Sequence, residues 1–128
     1  MKFDLSDLNP GVEFAWEDEA KITLRTCNSE KLLEITKQTT KKKVDFRQGV
    51  RVTWEETDES KQRQLIWDYC ICSWSGIVDK DGNQIECSTA NKMKLMNGSV
   101  KFARFVTKCL DDLNAQLREE EAKASENF

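Results

Sequence analysis

Gln64-Leu65-Ile66-Trp67-Asp68-Tyr69-Cys70-Ile71-Cys72-Ser73-Trp74 is the stretch on which the reading of this chain turns. Over residues 61–74 the apolar positions are Leu65, Ile66, Trp67, Tyr69, Cys70, Ile71, Cys72 and Trp74. Wound at about 100° per residue, they go nearly all the way round a helix. A helix apolar on most sides is a buried one. The spacing therefore predicts a central helix, the spine of the fold, capped by Thr57 or Asp58 with Glu59 in its first turn.

Downstream of that helix, Asp79-Lys80-Asp81-Gly82-Asn83 is a tight-turn sequence. It separates Ile77-Val78 from Gln84-Ile85, a pair suited to a short hairpin. Ser88 or Thr89 caps a short helix that ends at Asn97-Gly98. Ser99 then starts a long helix, with Phe102, Ala103, Val106, Cys109, Leu110, Leu113 and Leu117 on one stripe. After Leu117 the stripe stops, and residues 118–128 read as a charged, flexible tail.

Upstream, the period is two. Val12, Phe14 and Trp16 alternate with Glu13 and Ala15, and Ile22 and Leu24 with Lys21, Thr23 and Arg25, across a polar Glu17-Asp18-Glu19 break. That is a β-hairpin with one buried face. Asn28 or Ser29 caps a helix with Leu32, Leu33, Ile35 and Thr36 on its apolar side. A second hairpin follows, with Val44 and Phe46 on one arm, Gln48-Gly49 at the turn, and Val50, Val52 and Trp54 on the other. The expected class is α+β: N-terminal antiparallel β-hairpins with an intervening helix, then a helical C-terminal half. Residues 1–117 are expected to form one domain, with residues 118–128 as the tail.

The 128 residues suit a single domain large enough for a core without disulfides or metal. The net charge of −3 disfavours nonspecific nucleic-acid binding, which Lys and Arg drive by displacing counterions from phosphates. The N-terminus, Met1-Lys2-Phe3-Asp4-Leu5, is broken by aspartate and does not read as a secretory signal. The longest apolar run, Tyr69 to Cys72, is far too short to span a bilayer. The five cysteines are an odd number without an export signal, so reduced thiols and a cytoplasmic location are expected.

Histidine is absent, which removes the usual general base and the Ser-His and Cys-His nucleophile systems. The acidic pairs Glu55-Glu56, Asp58-Glu59 and Asp111-Asp112 are adjacent in sequence, so their side chains diverge and make poor catalytic dyads. Cys70 and Cys72 lack the companion pair that a structural zinc site needs. Counted from Asp79, the glycine falls fourth and Ala90 twelfth, which fails the calcium-loop pattern. No catalytic residue, metal or cofactor is expected, and the chain reads as a binding protein, not an enzyme. Lys37, Lys41, Lys42 and Lys43 form a basic cluster, read chiefly as a solvated strand edge. Phe105 lies off the centre of its helix stripe and is the first candidate for a partner contact. Trp74, Phe102 and Leu117 complete the candidate protein-binding set.

The stretch from Gln64 to Ile85 also resembles a known family, the small tail assembly chaperones encoded between the tail tube and tape measure genes of long-tailed phages. The shared pattern is an apolar helix, then Trp74 with Gly76, then Asp79-x-Asp81-Gly82 and Ile85. A capped short helix bearing Asn91, Lys92 and Leu95 follows, then a helix with Phe102 and Phe105 and an acidic close, Glu119-Glu120-Glu121. The resemblance covers residues 64–117. It implies a protein that coats the apolar, helical tape measure protein in several copies until tail tube subunits displace it. The expected partners are thus the tape measure protein and the tail tube protein, with self-association left open. Two alternatives stand beside this one: a structural tail-completion or head–tail component of the virion, and a small DNA-associated regulator using Lys37 to Lys43.

Overall fold

The computed structural model describes the backbone of residues 1–126, and side chains up to residue 120 and at 122. In chain order the elements are β1 (Val12–Ala15), β2 (Lys21–Leu24), α1 (Ser29–Thr39), β3 (Thr40–Arg47), β4 (Val50–Thr57), α2 (Glu59–Cys70), β5 (Ile71–Ser75), α3 (Thr89–Gly98) and α4 (Val100–Glu126). The class is α+β, as the hydrophobic periods predict.

Ile22 and Leu24 are both completely buried. They sit two apart on β2, so they point to the same face. β2 is the centre of a three-stranded antiparallel sheet in the order β1-β2-β5. Val12 pairs with Leu24 and Phe14 with Ile22, which puts the apolar residues of the first hairpin on that face. The opposite face carries Glu13, Ala15, Lys21, Ser73 and Ser75, all exposed. Helix α4 covers the apolar face, contributing Phe102, Val106, Cys109 and Leu113 to the core, with Met96 from α3. Each large apolar side chain so buried stabilises the fold by about 1.5–3 kcal/mol relative to exposure.

The predicted central helix over 61–74 is two elements. Helix α2 ends at Cys70, and Ile71–Ser75 is strand β5. Ile71 pairs with Leu24 and Trp74 with Ile22, while Thr23 faces Ser73, so Cys72 is an extra residue in the ladder. Such a bulge shifts the alternation by one. It lets two residues three apart, Ile71 and Trp74, face the same core. The helical spacing of Ile71 and Trp74 thus comes from a kinked strand. α2 itself is no spine: only Cys70 is buried, and Leu65 to Tyr69 are partly exposed. Its N-cap is Asp58, whose carboxylate accepts from the Lys61 amide at 3.1 Å.

Helix α1 starts where expected, with the Asn28 side chain accepting from the Lys31 amide at 2.9 Å. Its buried side is Ile35 and Thr39, whereas Leu32 and Leu33 are exposed. α1 packs on α2, and the row of Ile35 and Thr39 is the one it buries. The second hairpin, β3–β4, turns at Gln48-Gly49 as predicted. It does not join the first sheet but forms a two-stranded sheet of its own.

Between β5 and α3 the expected hairpin shrinks to a single bridge, Val78 to Gln84. The turn holds through the Asp79 carboxylate, which accepts from the amides of Asp81 and Asn83 at 2.9 and 3.0 Å. Ser88 caps α3, and the Ser99 hydroxyl accepts from the Phe102 amide, starting α4. Lys92, only 8% exposed, ties α3 to the end of α2 by donating to the Asp68 carbonyl and carboxylate at 3.0 and 3.2 Å. The α4 backbone stays helical to Glu126, past Leu117, where the apolar stripe ends. Residues 127 and 128 of the expected tail, and the Glu121 side chain, lie outside the described residues. Among the described residues no helix is long and apolar enough to cross a membrane.

Candidate partner-binding surface

Three of the four residues singled out from the sequence meet in one aromatic cluster. Phe102 comes from the first turn of α4 and is 2% exposed. Trp74, on β5, meets it edge-on with ring centroids 5.8 Å apart and planes at 82°. The indole N–H of Trp74 donates to the Ile85 carbonyl at 2.7 Å, so the segment after the Asp79 turn is pinned to the sheet. Phe105 is one helical turn along. Its ring stacks on Trp16, with centroids 4.5 Å apart and planes 5° from parallel. Trp16 also leans on Phe102 at 6.0 Å. The partly exposed position expected for Phe105 is therefore occupied by an intramolecular partner, although one edge of the stack remains open to solvent.

Trp16 was not among the predicted site residues. Its alternation with Phe14 marked it as a core residue of the hairpin. Its pairing with Phe105 depends on how α4 crosses the sheet, and no local pattern encodes that. Lys101 sits at the rim of the stack, 5.8 Å above the Trp16 ring, and bonds the Glu17 carboxylate.

Leu117 stands apart, twelve residues beyond Phe105 along α4 and so roughly 18 Å away at 1.5 Å per residue. It is 47% exposed and lies at the mouth of a groove of about 280 Å³. Pro10, Val12, Leu24 and Leu113 make the apolar walls, and Arg25 and Glu120 the charged rim. The walls owe their position to a polar anchor. The Asn9 amide donates to the Thr26 carbonyl at 2.8 Å and the Tyr69 hydroxyl at 3.2 Å. The Arg25 guanidinium stacks 3.8 Å over the Tyr69 ring and donates to the Tyr69 carbonyl at 2.8 Å. Gly11, at φ +97°, turns the chain into β1 where a Cβ would meet the Leu24 carbonyl at 3.1 Å. A second, larger depression of about 630 Å³ lies between α3 and α4, lined by Met96, Val100 and Ala103 and edged by Arg104, Lys108 and Asp111.

The thiols offer little chemistry. Burial pushes each of the five above the ordinary 9.0, that of Cys70 up to about 12. A thiol held protonated is a poor nucleophile and a poor metal ligand. Among the described residues no group of three or more acidic or cysteine side chains is placed to hold a metal ion. The basic cluster of the sequence is split: Lys37 lies in the last turn of α1, and Lys41, Lys42 and Lys43 lie on β3, where Lys41 and Lys42 stand opposite Glu56 and Glu55 in the ladder. These are register neighbours only: among the described residues none of the four lysines makes an ion pair within the chain.

No curated protein and no solved structure matches this chain. The model of one family, described as the YdaY prophage protein, matches residues 12–127, a span running from the first strand through the last helix. The chain belongs to the YdaY prophage protein family.

Proposed function

We propose that this prophage protein is a tail assembly chaperone that binds the tape measure protein and keeps it soluble until the tail tube polymerises around it. It acts by binding, not by catalysis. The observation that carries the reading is the groove under Leu117: a half-exposed leucine over apolar walls, rimmed by Arg25 and Glu120. An amphipathic helix fits such a groove through apolar anchors spaced three and four apart. Membership of a prophage family and the resemblance of residues 64–117 to tail assembly chaperones support the same reading. The modest size of the groove suits a partner that tail tube subunits must later displace.

Co-expression with the tape measure protein of the same prophage tests it. The tape measure protein is expected to stay soluble and to co-purify with several copies of this chain. Leu117→Glu is expected to abolish co-purification while the circular dichroism and melting temperature of the chain stay near the parent's, since Leu117 is half-exposed. Phe105→Glu is the control: it breaks the stack on Trp16 and is expected to lower the melting temperature. A tape measure protein that precipitates regardless, with this chain eluting alone, defeats the proposal.

A further inference from the structure

The β3–β4 hairpin stands outside the main sheet, and the outer edge of β4 pairs with nothing among the described residues. We propose that this edge is a self-association surface, on which β4 of a second copy of the chain adds antiparallel to make a four-stranded sheet in the order β3-β4-β4-β3.

The two edges of the hairpin are unlike. The β3 edge carries Lys41, Lys42 and Lys43, the kind of charge that blocks strand addition. The β4 edge runs Val50-Arg51-Val52-Thr53-Trp54-Glu55-Glu56-Thr57, with no lysine or proline, and its register with β3 is unbroken by any bulge. Its composition favours strands, and it offers a straight row of unpaired amides and carbonyls.

The register follows from the turn. Arg47 and Val50 close a two-residue loop whose residues have φ of 52° and 78°. In such a hairpin the closing pair exchanges both hydrogen bonds, and the pattern then alternates along the ladder. Val50, Val52, Trp54 and Glu56 therefore bond inward to β3. Arg51, Thr53 and Glu55 present their N–H and C=O groups outward. On β3 the same alternation leaves the Phe46 amide outward, and it is capped by the Asp45 carboxylate at 2.8 Å.

A two-fold axis through Thr53 brings outward residues of the two copies face to face. Thr53 then meets Thr53 of the second copy, and Arg51 meets Glu55 of the second copy, twice by symmetry. Between them Val52 lies beside Trp54 of the second copy, an aromatic and β-branched pair of the kind that stabilises sheets. Shifting the register by two residues sets Arg51 against Thr53 or Thr57 and loses both charge pairs. Among the described residues neither Arg51 nor Glu55 makes an ion pair within the chain. The arrangement is closed: it consumes both β4 edges, with their charges paired across the axis, and leaves the two lysine-bearing edges outside. The competing geometry, β3 of one copy on β4 of the next, repeats without end and makes filaments.

Sedimentation of the full chain over a range of concentrations tests the proposal. A monomer–dimer equilibrium is expected, with Arg51→Glu and Glu55→Arg each weakening the dimer about tenfold or more, and the double variant regaining most of the loss. Thr53→Pro is expected to abolish the dimer with an unchanged circular dichroism spectrum, because the amide it removes points away from β3. A chain that stays monomeric up to its solubility limit overturns the proposal. So does a dimer that none of these changes weakens, or open-ended growth that Lys42→Glu stops.

Discussion

Cys70 closes α2 and packs beside the β2–β5 ladder, 3% exposed, and its thiol is held up to about 12 chiefly by burial and then by the neighbouring Cys27 and Cys72. Below pH 9 both the folded and the unfolded chain keep this proton, and folding gains or loses nothing by it. Between about 9 and about 12 the unfolded thiol ionises while the folded one does not, so stability falls as pH rises. Urea titrations across that window are expected to show an alkaline loss of stability that Cys70→Ala reduces, on a lower baseline set by the cavity. The same scale shows what a sequence can tell about a binding surface. Phe102 and Trp74 are legible as aromatic residues that the core needs, and Leu117 as the last member of a stripe. That Phe105 is stacked on Trp16 depends on the crossing of α4 over the sheet, a relation between residues 89 positions apart.

At the level of elements, strand and helix periods are clean wherever one face alone is buried. β1, β2 and the start of α4 fall close to where the alternation and the apolar stripe put them, and α3 where its cap and its Asn97-Gly98 stop put it, while α4 runs on past the end of its stripe at Leu117. They fail at β5, where the bulge at Cys72 moves Trp74 onto the side of Ile71 and gives a strand the signature of a helix. The turn that follows is fixed just as tightly by backbone. Gly76 has φ +73°, and a Cβ there would meet the Glu19 carbonyl at 2.8 Å and the Ala20 Cα at 3.0 Å. Gly82 has a similar φ of +83° but open space around it. Gly82→Ala is expected to cost about 1 kcal/mol from the left-handed conformation alone. Gly76→Ala is expected to cost more, about 2–4 kcal/mol, because backbone must also move. Chemical denaturation of the two variants side by side measures the difference.

Across the whole molecule the chain divides its labour. The three-stranded sheet with α4 holds most of the buried apolar residues, while every residue of β3 and β4 is at least partly exposed. The Thr40 and Thr57 hydroxyls lie 2.8 Å apart at the base of the hairpin, so the chain enters and leaves at one point. Replacing residues 41–56 by a short Gly-Ser link is therefore expected to lower the melting temperature by no more than about 5 °C. Calorimetry of the shortened chain checks this, and a collapse of the transition would mean that the hairpin supports the core.

The placing of β2 between β1 and β5 has a consequence for the protein's first seconds of existence. β2 is synthesised early, but its neighbour β5 and its cover, α4, are encoded far downstream. At roughly 5–20 residues per second, Ile22 and Leu24 wait several seconds on the ribosome before Val106 is made. The β3–β4 hairpin needs only its own residues and closes within about 1–10 μs of emerging. The nascent chain thus finishes its outermost part first and its centre last. A ribosome stalled short of Val106 would hold a completed hairpin on a sheet whose apolar face still lacked its lid.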